Sequence, residues 1–184
     1  DVKIPTVTHA MFGGNRICHT NYGAKDNGRS SLFQYRLPVE IARLEKMQEH
    51  FEHGVICLEK VYENLSKNKK QDAFYMINLG KFIVNCVKTT INVKRWHTLK
   101  MQLFIETDEK KVVELVDKMI QIGRDEIENA KNTIPLVEAD SRLGWEPSME
   151  YMTDTYHLEW KISQVTSVIE GALPAYKADL RFNY

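Results

Sequence analysis

Between residues 38 and 65 apolar side chains return at steps of three and four: Ile41, Leu44, Phe51, Val55, Leu58, Tyr62 and Leu65, with Met47 or Gln48 filling the gap. A stripe of that period held for about seven turns of 3.6 residues is the mark of an amphipathic α-helix. Its other face carries Arg43, Glu45, Lys46, Glu49, Glu52 and Lys60 and belongs in water. Pro38, with its fixed φ, suits the first turn of such a helix, which sets its bounds at 37–66.

Three more segments repeat the pattern. Asp72 is a capping residue for a helix over 72–105, whose stripe is Ala73, Ile77, Gly80, Val84, Val87 and Ile91. The pattern continues through Trp96, Leu99 and Leu103. Gly80 costs roughly 1 kcal/mol in helix propensity against alanine, a cost that a close helix crossing would offset. Thr107-Asp108 caps a third helix over 108–133, with Val112, Leu115, Met119, Ile122, Ile127, Ala130 and Ile134 inward and a slip near Gly123-Arg124. Pro135 is a barrier to its continuation. Thr153-Asp154 opens a fourth over 154–172, with Leu158, Ile162, Val165, Ile169 and Leu173 as its stripe and Gly171 and Pro174 at its end. The polar turn Ser66–Gln71 makes the first two helices antiparallel neighbours. The expected fold is all-α: an antiparallel bundle of about four helices in a single domain over 1–184, with an irregular arm at 1–36 and one long ordered loop at 134–153.

The arm shows no helical period; Gly13, Gly14, Gly23 and Gly28 break it. Adjacent Cys18 and His19 do not make a chelating pair, because neighbouring residues rarely reach one ion. The chain begins DVKIPTV, without an initiating Met, and reads as a processed protein or a domain of a longer one. Cys57 and Cys86 lie among apolar residues and are expected to be small buried hydrophobes.

Charge narrows the function classes. Lys and Arg number 25, Asp and Glu 25, so no global field favours nucleic acid. No apolar run reaches the length of a membrane span. Nothing matches a phosphate loop, a nucleophile elbow or a zincin helix, and no cofactor is implied. Glu49, His50, Glu52 and His53 could meet a metal, yet no second helix repeats a Glu-x-x-His motif, so no metal site is expected.

The chemistry concentrates in NTIPLVEADSRLGWEPSMEYMT, residues 132–153. A connection of roughly 20 residues inside a domain is functional or disordered in most cases. Leu136, Val137, Leu143 and Trp145 are too apolar to leave in water, which favours order. Glu138, Asp140, Arg142, Trp145, Glu146 and Tyr151 supply aromatic faces, acceptors and a forked donor, the equipment of polyol recognition. They equally suit a self-contained loop, with Arg142 paired to Asp140 or Glu146. Arg95, Trp96 and His97 are a second candidate set, at the polar, aromatic end of the second helix.

The runs LGKFIVNCVKTTINVKRWHTLK and ENAKNTIPLVEADSRLGWEPSMEYMTD resemble the C-terminal helical region of large bacterial carbohydrate-active proteins, similar to α-glucuronidases and other multidomain glycoside hydrolases. The likeness extends from Arg36 onward. It implies an accessory domain beside an upstream catalytic barrel in the same chain, with a carbohydrate ligand and a share in the substrate cleft. It carries over no catalytic residue. The alternative is a stand-alone helical interaction module that binds a protein through the 134–153 loop.

Overall fold

The computed structural model describes residues 33–146 and 151–180. The expected arm therefore lies outside the described residues, Cys18-His19 included, apart from residues 33–36. Four long helical stretches follow: α1 (Phe33–Glu63), α2 (Lys67–Ile105), α3 (Glu109–Ala139) and α4 (Thr155–Ser167). Two short antiparallel strands, β1 (Trp145–Glu146) and β2 (Tyr151–Met152), stand between α3 and α4. A π-helical turn (Val168–Ala172) carries α4 into α5 (Leu173–Asp179). The chain is an all-α helical bundle.

The helices pack in sequence: α1 on α2, α2 on α3, and α3 on α4. Helix α2 is the middle layer and uses two faces. Ile77, Gly80, Val84, Val87 and Ile91 share one side, and Gly80 lies against α1 so closely that a Cβ there would fall 2.8 Å from Val55 Cγ2. Trp96, Leu99 and Leu103 turn the other way, into a core shared with α3 and α4. The apparent single stripe of α2 is thus two stripes serving two neighbours. Helix α1 has one main neighbour, so its stripe is half covered: Val55 is buried, but Phe51 stays 36% exposed. Ion pairs fasten it, with Lys94 to Glu40 at 2.9 Å, Arg95 to Glu45 at 2.5 Å and Lys81 to Glu59 at 2.7 Å. Lys94 is buried, and desolvation lowers its pKa.

Two apolar clusters form the core between α2, α3 and α4. One holds Leu103, Val112, Leu115, Val116, Met119, Val165, Val168, Ile169 and Leu173. The other, toward the strands, holds Phe82, Ala130, Leu136, Val137, Leu143 and Leu158. Gly123 permits the approach of the π turn that follows α4, since a Cβ there would collide with Ile169 Cγ2.

Several expected boundaries need correction. Helix α1 starts at Phe33, five residues before Pro38, so Pro38 lies inside the helix, where it forfeits the N–H bond to the Gln34 carbonyl. Helix α2 starts at Lys67 with Ser66 as its N-cap, so Lys67–Gln71 is helix and Asp72 lies in its second turn. Helix α3 runs through Pro135 to Ala139, which shortens the expected 134–153 loop by six residues. A proline inside a helix costs about 3 kcal/mol. Burying Leu136 and Val137 just beyond it returns about 1.5–3 kcal/mol each, and Pro135 itself faces solvent, where the orphaned Lys131 carbonyl can be hydrated. Helix α4 likewise does not end at Gly171 and Pro174. The π turn, with Leu173 N–H donating to Val168 O, inserts one residue and lets Pro174 sit in the first turn of α5. Asp108 and Asp154 are caps, as expected. Asp108 accepts from the backbone N–H of Lys110 and Lys111, and Asp154 from that of His157.

Cys57 and Cys86 are exposed free thiols, not buried hydrophobes. Both occupy helix positions off the packed stripes. Neighbouring atoms still crowd Cys86 enough that desolvation raises its pKa, with Lys161 acting in the opposite sense.

Candidate functional site at the hairpin end

Asp140 ends α3 and builds the turn that follows. Its backbone N–H donates to Leu136 O at 3.1 Å. Its Oδ1 accepts from Arg142 N–H at 3.1 Å and from Arg142 Nε at 2.8 Å, and its Oδ2 accepts from Arg142 Nη2 at 2.7 Å. Of the two partners expected for Arg142, Asp140 is the one that holds it, in a bidentate carboxylate–guanidinium pair. The side-chain hydrogen bond from Arg142 is the main reason that Asp140 titrates below its ordinary range. The carboxylate side chain is 7% exposed, whereas that of Arg142 is 73% exposed. A fixed guanidinium is therefore presented outward, with its carbon 5.0 Å from the centroid of the Tyr75 ring on α2.

Leu143 closes the turn. Its N–H donates to Asp140 O at 3.1 Å, and its side chain enters the core beside Phe82 and Leu158. Gly144 then takes φ +73°, the left-handed region where a side chain is strained. Space demands glycine there too: a Cβ would stand 2.6 Å from Thr153 Cβ and 3.1 Å from Phe82 Cζ. The Gly144 carbonyl accepts from Thr153 N–H at 2.9 Å, and the two strands pair beyond it, Trp145 with Met152 and Glu146 with Tyr151. The candidates Trp145, Glu146 and Tyr151 thus share one small hairpin.

The start of α4 adds a second polar unit. Asp154 Oδ1 lies 2.6 Å from His157 Nδ1 and accepts from the His157 backbone N–H at 2.9 Å. That backbone bond, then the ring, lowers the Asp154 pKa. Thr155 Oγ1 donates to Glu138 Oε1 at 3.4 Å, joining α4 to the end of α3. The rings of Tyr156 and His157 meet edge to face at 5.4 Å. Tyr156 is 71% exposed, and Trp160, one turn on, is 42% exposed. Both project from the face of α4 opposite Leu158 and Val165.

Glu138, Asp140, Arg142 and the hairpin residues are therefore neighbours at one end of the bundle. Arg95, Trp96 and His97 are not part of this end. From Phe82 to Trp96 the separation is 14 residues of α2, roughly 21 Å at 1.5 Å per residue. Arg95 pairs with Glu45, and Trp96 packs beside the first apolar cluster with its Nε1 buried and without a hydrogen-bond partner among the described residues. His97 is half-buried, and desolvation, then Lys100 and Lys94, lowers its pKa. Glu49, His50, Glu52 and His53 are exposed on α1, and among the described residues no group of three or more His, Cys, Asp or Glu gathers for a metal. No helix is long and apolar enough to cross a membrane among the described residues.

Tyr75, Tyr156, His157 and Trp160 also belong to this end, although sequence reasoning does not single them out. A signal exists for two of them. Tyr156 and Trp160 are aromatic residues that fall off the stripe of Leu158, Ile162 and Val165, at positions a core-facing helix leaves to polar groups. No family model, curated protein or solved structure matches this chain.

Proposed function

We propose that this chain is a non-catalytic accessory domain of a carbohydrate-processing protein, binding sugar at the hairpin end and adding to the substrate cleft of a catalytic domain. The observations that carry the reading are the outward-facing Arg142, held by both oxygens of Asp140, and the exposed aromatic side chains Tyr156 and Trp160 at the start of the helix that follows the hairpin. Aromatic rings left in water offer flat apolar faces for the C–H face of a pyranose. Arg142 offers donors to hydroxyl or carboxylate oxygens, and Glu138 and Asp154 offer acceptors. Asp140 is engaged by Arg142 and acts as the brace that fixes its direction. The resemblance of residues 128–154 to helical regions of glycoside hydrolases points the same way. Calorimetric titration with neutral and uronic-acid oligosaccharides tests the reading. Binding that Tyr156→Ala and Trp160→Ala abolish, with the fold intact, supports it; a lack of binding to the whole panel at millimolar concentration refutes it.

A second reading is a helical interaction module that docks a protein through the same loop. Arg142 favours it, since an arginine fixed by a bidentate pair and stacked on Tyr75 has already lost the side-chain freedom that binding would otherwise remove. Under this reading Arg142→Ala abolishes capture of a partner protein, and the oligosaccharide panel is silent.

A further inference from the structure

Between the two apolar clusters the bundle carries a layer of polar residues drawn from three helices. Glu126 of α3 is its centre and is 7% exposed. Its Oε1 accepts from Thr89 Oγ1 at 2.7 Å, its Oε2 from Asn92 Nδ2 at 2.7 Å, and Lys161 Nζ of α4 pairs with Oε1. Asn129, one turn further along α3, donates to Asn85 O at 2.9 Å and to Thr89 Oγ1 at 3.0 Å. Asn85 in turn donates to Thr133 Oγ1 at 2.9 Å. The layer thus ties α2 to α3 by side chains spaced one turn apart, and α4 to both through Lys161.

We propose that this layer is a register lock: it fixes the axial alignment of α2, α3 and α4, and so places the hairpin end. The apolar clusters on either side cannot do this alone. They are built mostly from Leu, Ile, Val and Met, with Phe82 and Ala130 in the second, and apolar contacts of this kind are non-directional and tolerate repacking. The polar layer does not accept a slip in register. A slip of about 5.4 Å, one helical turn, would move the Glu126 carboxylate from Thr89 and Asn92 to Asn85 and Thr89 in one direction, or to Asn92 and Trp96 in the other. Either way one of its two donors on α2 is lost, and in the first direction Asn129 is carried from Asn85 and Thr89 toward Phe82. A fully satisfied polar layer in an apolar core is the arrangement by which helices exclude alternative registers, as a buried polar position does in coiled coils. The register matters downstream, because Arg142 meets Tyr75, and Gly144 meets Phe82, only when the end of α3 stands at one level along α2.

The test removes the charges together and asks for uniqueness instead of stability. In the Glu126→Leu/Lys161→Leu variant, amide spectra are expected to show more than one peak for residues of both apolar clusters. The nuclear Overhauser contact between Gly144 and the Phe82 ring is expected to weaken by at least half. A single sharp set of peaks with that contact at full strength overturns the proposal. If the double variant does not fold, the single variants Glu126→Gln and Lys161→Met decide between the two outcomes. Peak doubling around Thr89, Asn92 and Asn129 in both supports the lock, and single wild-type-like spectra in both overturn it. None of these outcomes depends on sugar binding.

Discussion

Arg142 grips both oxygens of Asp140 while its guanidinium lies over the ring of Tyr75, so one side chain joins the end of α3 to the second layer of the bundle. The pairing has a pH signature. Arg142 lowers the Asp140 pKa in the folded protein below its ordinary 3.8. A carboxylate with a depressed folded pKa contributes stability that is present above its unfolded pKa and lost as pH falls through the folded one. Asp154, held down by the His157 backbone and ring, adds to the same window. Thermal midpoints recorded from pH 5 downward are expected to fall once pH drops below 3.8. In Arg142→Met the fall is expected to be shallower. Parallel curves for the two proteins would show that the pair is not the source.

Gly144→Ala is expected to destabilise the fold by about 1–3 kcal/mol, the usual cost of a strained backbone position. The φ of +73° and the 2.6 Å approach to Thr153 Cβ act together here. Urea denaturation measures the cost, and the loss of the Thr153 N–H to Gly144 O bond should appear as faster amide exchange at Thr153.

Glycines within the helices should divide by their neighbours. Gly54 has open space around its Cβ position, so Gly54→Ala is expected to stabilise by about 0.5–1 kcal/mol through helix propensity. Gly123→Ala would drive a methyl into Ile169 and is expected to lower stability by about 1–3 kcal/mol, the range for overpacking a core. Denaturation midpoints moving in opposite directions confirm the assignment of Gly123 to a close crossing. A gain at both positions would contradict it.

The stripes of all four helices could be read because packing writes a 3.6-residue period wherever one face is buried. The Gly80 crossing, the Asp108 and Asp154 caps and the Asp140–Arg142 pair could be read for a similar reason: each depends on residues close in sequence or on an anomaly within a stripe. Pro135 and Pro174 misled because local breaker strength was set against burial that comes from elsewhere in the fold, at Leu136, Val137 and Leu173. The polar layer was hidden by its chemistry. Asn85, Asn92, Glu126, Asn129 and Lys161 look like a solvated face until α2, α3 and α4 come together. Tyr75 joins the site only because α3 ends at the level where α2 presents it, a relation between residues far apart in sequence.

The central claim, sugar recognition at the hairpin end, is met most directly by amide chemical-shift mapping during titration with neutral and uronic-acid oligosaccharides. Saturable shifts confined to Tyr75, Arg142, Gly144, Tyr156, His157 and Trp160 are the expected result, and Trp160→Ala should remove them while leaving the rest of the spectrum in place. Shifts that centre on Arg95, Trp96 and His97, or a spectrum unmoved by millimolar sugar, would contradict sugar recognition at this end.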